Sequence, residues 1–235
     1  MKITKRQLKE LIQEAIAESP VLMPESQIFC DMDGVLVNFG GAVIKLLNDL
    51  LDGGQLSGVK RNKGYFYRLR KLQEELGEDW RVQARDDLNI KTVRNFMFGV
   101  VGANPGPVFA GMSPWPDALS ELWPFLNSTG RTVNLLTAPI TARSGAEMTA
   151  GEGKILWAGE HLRPAPADII VTPAKQKIQY AVVGGVPNVL VDDKASTVEA
   201  WNNATEAAGL GRGFGVLHTP GGSAATVQRL MELGL

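Results

Sequence analysis

The second half of the chain alternates short apolar runs with longer amphipathic stretches. The apolar runs predict β-strands at residues 133–137, 168–172, 189–192 and 214–218. The amphipathic stretches predict helices near residues 152–162, 174–182, 195–207 and 223–233. Because strands that alternate with helices usually pair in parallel and are covered on both faces, this pattern predicts an α/β fold with a parallel sheet.

An earlier apolar run begins at residue 28 and ends at two aspartates, and it predicts the first strand. The segment after it shows helical periodicity without strand alternation. We therefore expect a core of residues 21–39 and 113–235, interrupted by a helical insertion at residues 40–112. Residues 1–20 predict a separate amphipathic helix and a proline-bracketed linker. That helix either docks on the core or binds a partner or a second copy of the chain.

The composition is that of an ordinary globular protein. Hydrophobic residues make up 44% of the chain and charged residues 21%, and the formal net charge is -1. This balance gives no overall attraction to nucleic acid or to acidic membranes. A single cysteine, Cys30, excludes an internal disulfide and favours a reducing compartment. With neither an apolar signal core nor a run long enough to span a bilayer, we expect a cytoplasmic protein without membrane contact.

Polar residues follow three of the predicted strands. Asp31 and Asp33 end the first strand, two residues apart and therefore on one side of it, and Gly34 allows a sharp turn. Thr137 ends the next strand, and Asp192 and Asp193 end another. Open α/β sheets bind ligands at the carboxyl ends of their strands. Clustered carboxylates need a counterion, so we expect a magnesium site suited to phosphate chemistry.

These motifs resemble those of the haloacid dehalogenase superfamily of magnesium-dependent phosphatases. The superfamily has Asp-x-Asp, Thr or Ser, Lys and paired acids in that order. The stretches DMDGVLVNF, LLTAP, IIVTPAKQK and VLVDDKASTVEAW are most similar to the 5'(3')-deoxyribonucleotidase group. The resemblance implies a Rossmann-like core, with residues 40–112 as a cap over the site. The segment MKITKRQLKELI also resembles the N-termini of marine-phage proteins, which implies a phage-encoded chain acting in the host cytoplasm.

The resemblance and the chemistry of phosphoryl transfer together imply a role for each motif residue. Asp31 is the expected nucleophile and Asp33 the acid and base that serves the leaving group and then water. Thr137 and Lys175 are expected to bind the phosphoryl oxygens. The predicted metal ligands are Asp31, the main-chain carbonyl of Asp33, and Asp193, with Asp192 placed to orient the lysine or a water on the metal.

The identity of the active-site lysine remains open among three candidates. Lys175 matches the family position after a strand that ends in threonine, and it is favoured here. Lys177 lies two residues further on, and Lys154 can enter from the preceding helix.

Substrate contacts are predicted at Phe39, Ala138, Arg143 and Lys177. The insertion also contains a basic and aromatic segment, residues 60–71, with six cationic residues, three aromatic residues and no acid. Such a composition can hold phosphates and stack bases. The alternative is a solvated helix face whose charge is balanced by the acids that follow it.

Three functions are compatible with these features. The first is a magnesium-dependent phosphomonoesterase that forms an aspartyl-phosphate, with 5'-nucleotides as the expected substrates. The second is a phosphatase acting on nucleic-acid ends or on another small phosphorylated metabolite, although the net charge does not favour nucleic acid. The third is a non-catalytic binding module tethered through the N-terminal helix.

Overall fold

A computed structural model describes residues 22–55, 61–140, 146, 148–210 and 213–235. The helix predicted within residues 1–20 lies outside the described residues, as does the candidate substrate contact Arg143. The described residues form an α/β fold around a five-stranded sheet.

The strands follow one another along the chain with helices between most of them. They are β1 (Ile28–Cys30), β2 (Val133–Thr137), β3 (Ile169–Val171), β4 (Val182–Val183), β5 (Val186–Pro187), β6 (Val189–Asp192) and β7 (Gly215–Leu217). The main sheet is parallel throughout, with the order β3-β2-β1-β6-β7. Cys30 of β1 pairs with Leu135 of β2 and with Val191 of β6. The prediction of a parallel, Rossmann-like sheet is confirmed, and β1 lies at its centre.

Helices fill the connections and the segment between β1 and β2. They are α1 (Phe39–Leu51), α2 (Lys63–Leu76), α3 (Lys91–Val101), α4 (Pro105–Ala110), α5 (Trp123–Ser128), α6 (Ala150–His161), α7 (Ala195–Ala207) and α8 (Ser223–Glu232). Shorter helical turns lie at Arg85–Asn89, Ala118–Leu122 and Ala174–Tyr180. None of the described helices is both long and apolar enough to cross a membrane.

Helix α6 is held firmly against the elements that precede it. Thr149 and Glu152 form a capping box at its start. The indole N–H of Trp157, which is fully buried, donates to the Met112 carbonyl at 2.7 Å. Gly153 approaches α4 so closely that a Cβ there would lie 2.1 Å from the Gly106 carbonyl oxygen. This packing fixes the rotation and position of α6, which carries one of the candidate lysines.

The predicted helix at residues 174–182 is partly wrong. A 3₁₀ helix spans Ala174–Tyr180, and the chain then forms the antiparallel hairpin β4–β5. Gly184 and Gly185 connect the two strands with φ values of 60° and 80°. Two-residue hairpin turns with positive φ favour glycine at both positions, so the Val-Val-Gly-Gly-Val sequence carried a signal for this hairpin.

Candidate active site

The candidate site lies at the carboxyl edge of the three central strands. Asp31 directly follows β1, and its N–H donates to the Val191 carbonyl of β6 at 2.8 Å. Thr137 and Asp192 are the last residues of β2 and β6, the two neighbours of β1. Because parallel neighbours end at the same edge, their terminal side chains meet there. The structure thus brings together Asp31, Thr137 and the Asp192–Asp193 pair, as the strand pattern predicts.

A glycine directly after the aspartates makes room for this arrangement. Gly34 has a φ of +83°, and a Cβ on it would lie 2.1 Å from Oδ2 of Asp193. A side chain at this position would therefore collide with the Asp193 carboxylate as well as strain the turn.

Three carboxylates form a cluster suited to a divalent cation. Asp31, Asp192 and Asp193 each offer an oxygen atom, and these atoms lie within 4.8 Å of one another. Oδ1 of Asp33 is buried and accepts no hydrogen bond from the described residues, and Oδ1 of Asp31 is paired with the Lys177 ammonium at 3.0 Å. Burial raises the pKa values of both Asp192 and Asp193, and the neighbouring Asp31 charge adds to each shift. Oxygen ligands and crowded like charges fit Mg²⁺.

Lys177, and not Lys175, is the lysine that joins this cluster. Its ammonium lies 3.0 Å from Oδ1 of Asp31 and 2.7 Å from Oδ2 of Asp192. Its side chain is 3% exposed. Although burial lowers the pKa of Lys177, the two carboxylates raise it above its ordinary value, so the ammonium is retained. Lys175 is exposed, which is a correction to the position that the sequence pattern favoured.

Lys154 is a second buried lysine at the same edge. From the first turns of α6 its ammonium donates to Oδ2 of Asp33 at 2.6 Å and to Oγ1 of Thr137 at 2.7 Å. It also donates to the Ala138 carbonyl at 2.7 Å and lies 4.6 Å from the ring centroid of Phe109. Its side chain is fully buried. All three protons of the ammonium are therefore used within the site.

Asp33 lies between the acidic cluster and Lys154. Desolvation raises the pKa of its carboxyl group to about 6, although the Lys154 ammonium acts in the opposite direction. Its side chain is 25% exposed, whereas the Lys154 side chain is fully buried. A carboxyl group with a raised pKa that faces the cleft has the properties of a general acid.

An arginine from the helical insertion reaches the acidic cluster. The Arg85 guanidinium lies 3.0 Å from Oδ2 of Asp193. The Arg85 side chain is 58% exposed and the Asp193 side chain 13%. This contact was not predicted from the sequence, since nothing around Arg85 distinguishes it from other surface arginines. The contact establishes that the insertion lies beside the site.

The remaining predicted substrate contacts have different positions. Phe39 opens α1 and stacks on Phe109 at 5.9 Å, next to Lys154. Ala138 contributes its carbonyl oxygen to Lys154. Cys30 lies beside Asp31 but is buried, and burial raises the pKa of its thiol well above the ordinary value, which disfavours the thiolate that a cysteine nucleophile needs.

Comparisons with known proteins find only distant structural similarity. No family model matches the chain, and no curated protein matches it. Solved structures that align with it include a dehalogenase, at 12% identity and a TM-score of 0.42 over 78% of this chain and 83% of the other. A hydrolase from Streptococcus pneumoniae TIGR4 aligns at 11% identity and a TM-score of 0.42, over 89% and 100%. A candidate beta-phosphoglucomutase from Thermotoga maritima aligns at 16% identity and a TM-score of 0.42, over 88% and 99%. Scores this low establish neither a family nor an activity, so the chemistry of this chain rests on its own site.

Proposed function

We propose that the chain is a magnesium-dependent phosphomonoesterase that forms an aspartyl-phosphate on Asp31. The observation that carries this proposal is the convergence of an acidic cluster, two buried lysines and a buried threonine hydroxyl at one sheet edge. This set supplies a nucleophile, an acid and donors for phosphoryl oxygens within one cleft. The sequence resemblance to haloacid dehalogenase phosphatases supports the same assignment.

The charge of the cleft would suit a phosphate dianion once Mg²⁺ is bound. Asp31, Asp33 and the Asp192–Asp193 pair bring four carboxylates, against the three cations Lys154, Lys177 and Arg85. With every group ionised, the formal charge is therefore -1 and would repel phosphate. Mg²⁺ held by Asp31, Asp193 and the Asp33 main-chain carbonyl would make the cleft positive and withdraw charge from the phosphoryl oxygens.

Hydrolysis in this site takes two steps. A carboxylate oxygen of Asp31 attacks phosphorus, the ester P–O bond breaks, and Asp33 gives its proton to the departing oxygen. Asp33 then takes a proton from water as that water attacks phosphorus, and the bond between phosphorus and Asp31 breaks to release inorganic phosphate. The Thr137 hydroxyl and the Lys177 ammonium are placed to hold the phosphoryl oxygens through both steps.

The proposed substrates are 5'-nucleoside monophosphates. The motif stretches that resemble deoxyribonucleotidases support this choice, and the half-buried Phe39, which stacks on the fully buried Phe109, offers one aromatic ring beside the site. We further propose that the helical insertion acts as a cap, since Arg85 connects it to Asp193. Another small phosphorylated metabolite, or the end of a nucleic acid, would use the same chemistry with a different leaving group.

A panel of phosphate monoesters tests the function. We expect phosphate release from p-nitrophenyl phosphate and from 5'-nucleotides in Mg²⁺, and none in EDTA. Turnover of a sugar phosphate but not of nucleotides would support the proposed phosphatase activity and contradict the proposed nucleotide specificity. Absence of phosphate release from every monoester in the panel would contradict the proposed activity.

We propose that Lys154 positions Asp33. The loss of activity on replacing Lys154 should therefore depend on the leaving group of the substrate. The Lys154→Met variant leaves the Asp33 carboxylate without the donor that fixes it. We expect kcat/KM for a nucleotide or an alkyl phosphate to fall by about 10²-fold, because the departing alkoxide needs a proton. For p-nitrophenyl phosphate the fall should stay within about tenfold, since nitrophenolate departs without one.

The same two substrates separate positioning from simple support of the fold. If Lys154 only maintains the packing of α6, kcat/KM falls equally for both substrates and the thermal midpoint falls with it. Equal losses at an unchanged thermal midpoint would instead assign Lys154 to the phosphoryl group itself.

A further inference from the structure

The exposed face of the helical insertion carries aromatic rings and cationic side chains that the proposed phosphatase does not use. Phe66 and Tyr67 of α2 are 51% and 55% exposed, and Phe98 of α3 is 46% exposed. Exposed aromatic side chains grouped on one face mark an interaction site, whereas singly scattered ones do not. We call this region the α2–α3 surface.

Two grooves flank helix α2 on this surface and share Tyr67. The first, of about 680 Å³, runs between α2 and α3, and its principal lining residues are Tyr67, Arg68, Lys71, Lys91, Asn95 and Phe98. The second, of about 720 Å³, is lined by Lys63, Phe66, Tyr67, Leu69, Arg70 and Gln73. No carboxylate lines either groove. The positive charge of both grooves is therefore local, in a chain whose net charge is -1.

Several of these cations are free to bind an anion. Lys71 and Arg70 form ion pairs with Glu74. Among the described residues, Lys63, Arg68 and Lys91 form no ion pair. These three cations span both grooves.

The Arg68 side chain lies close over Gly99 of α3, where the absence of a side chain leaves room for it. A Cβ on Gly99 would lie 2.8 Å from Cδ of Arg68 and 3.0 Å from its Nε. The guanidinium also donates to the Gly64 carbonyl at 2.9 Å. The cation therefore lies in the groove in a held position, next to Tyr67 and Phe98.

The geometry points to single-stranded nucleic acid as the ligand of the α2–α3 surface. Cationic side chains bind the phosphates of such a strand, and exposed rings stack on its unpaired bases. A duplex offers no free base faces, so its binding would leave the rings unused. An anionic membrane would favour an apolar face separate from the cations, whereas here Phe66 lies beside Lys63 and Arg70. Single strands of DNA and of RNA both present phosphates and unpaired bases, which are the groups that these grooves would bind.

The test measures binding of fluorescent twenty-nucleotide dT and U strands to the full-length chain by anisotropy. Both strands carry hydroxyl ends, and EDTA is present, so binding is independent of the proposed phosphatase. We expect affinity to fall with salt, with a slope of about 0.7 per phosphate contacted. Tighter binding of the dT strand would identify DNA as the natural ligand, and tighter binding of the U strand would identify RNA.

Variants locate the binding to the two grooves. The Lys63→Ala/Lys91→Ala double variant should bind about tenfold more weakly and lose about 1.4 from the salt slope. The Tyr67→Ala variant should also bind about tenfold more weakly, but with the slope unchanged, since stacking releases no counterions. The matched control, Lys45→Ala/Arg229→Ala, removes two exposed cations elsewhere and should bind like the unaltered chain.

Three results would overturn the inference. The first is an absence of binding to both strands at low salt. The second is equal weakening by the control variant, which would assign binding to net charge alone. The third is that a duplex or anionic phosphatidylserine vesicles bind while single strands do not.

Discussion

Replacing Lys177 by methionine should lower kcat/KM for phosphate monoesters by roughly 10²–10³-fold, the usual cost of one charge-stabilising donor. Lys177 is the buried cation between Asp31 and Asp192, at 3.0 and 2.7 Å. Without it, the buried carboxylates of Asp31 and Asp192 would face each other with no cation between them. Breaking a buried ion pair on one side typically costs about 3–5 kcal/mol. We therefore expect the free energy of unfolding in EDTA to fall together with the activity.

Lys175→Met is the matched control for this prediction. It makes the same substitution two residues away, at a side chain that is exposed. We expect its kcat/KM to stay within about threefold and its unfolding free energy within about 0.5 kcal/mol of the unaltered chain. The reverse result, with Lys175→Met inactive and Lys177→Met active, would return the catalytic role to Lys175 and contradict the site described above.

The spacing of the motif in the sequence does not decide which lysine reaches the site. Sequence spacing indicated a lysine after the strand that ends near Thr172, and both Lys175 and Lys177 satisfied it. In a 3₁₀ helix with three residues per turn, two residues separated by one other point in different directions. The side chain that reaches the sheet edge therefore depends on where Ala174–Tyr180 begins. The spacing of residues in the sequence does not determine where this helix begins or in which direction each side chain points.

The sequence around Lys154 contains a signal that this lysine is buried. The buried residues of α6 are Ala150, Gly153, Lys154, Trp157 and Ala158, which recur at helical spacing on one face. A lysine in the middle of such a stripe is unusual, because lysine is seldom fully buried without partners. Its presence predicts a buried acceptor, but the identity of Asp33 as that acceptor requires the fold.

The sheet was predictable because its determinants are local. Each strand is a short apolar run followed by a polar residue, and the parallel arrangement follows from the intervening helices. The Arg85 contact was not predictable, since it joins residues 108 positions apart through the packing of the insertion. Strand ends thus follow from the chain pattern, whereas contacts from the insertion depend on tertiary structure.

The Asp31→Asn variant should lose phosphatase activity by about 10⁴-fold or more, because the amide cannot form the acyl-phosphate. Asparagine keeps the shape of the side chain and removes one of several crowded charges, so the fold should be retained. Acid-quenched enzyme should carry one phosphoryl group on the peptide containing Asp31. In the Asp31→Asn variant that adduct should be absent while the thermal midpoint stays unchanged or rises.

The Asp33→Asn variant makes this test specific to the two-step mechanism. With p-nitrophenyl phosphate the first step needs no proton from residue 33, whereas the attack of water on the acyl-phosphate still needs a base. We therefore expect a burst of nitrophenol equal to the enzyme concentration, followed by slow turnover, and accumulation of the Asp31 adduct. A direct attack of water on the substrate would instead give no burst and no adduct, even with residual activity. Because Asp31 and Asp33 are two residues apart in one cleft, these opposite outcomes assign the nucleophile and the acid separately.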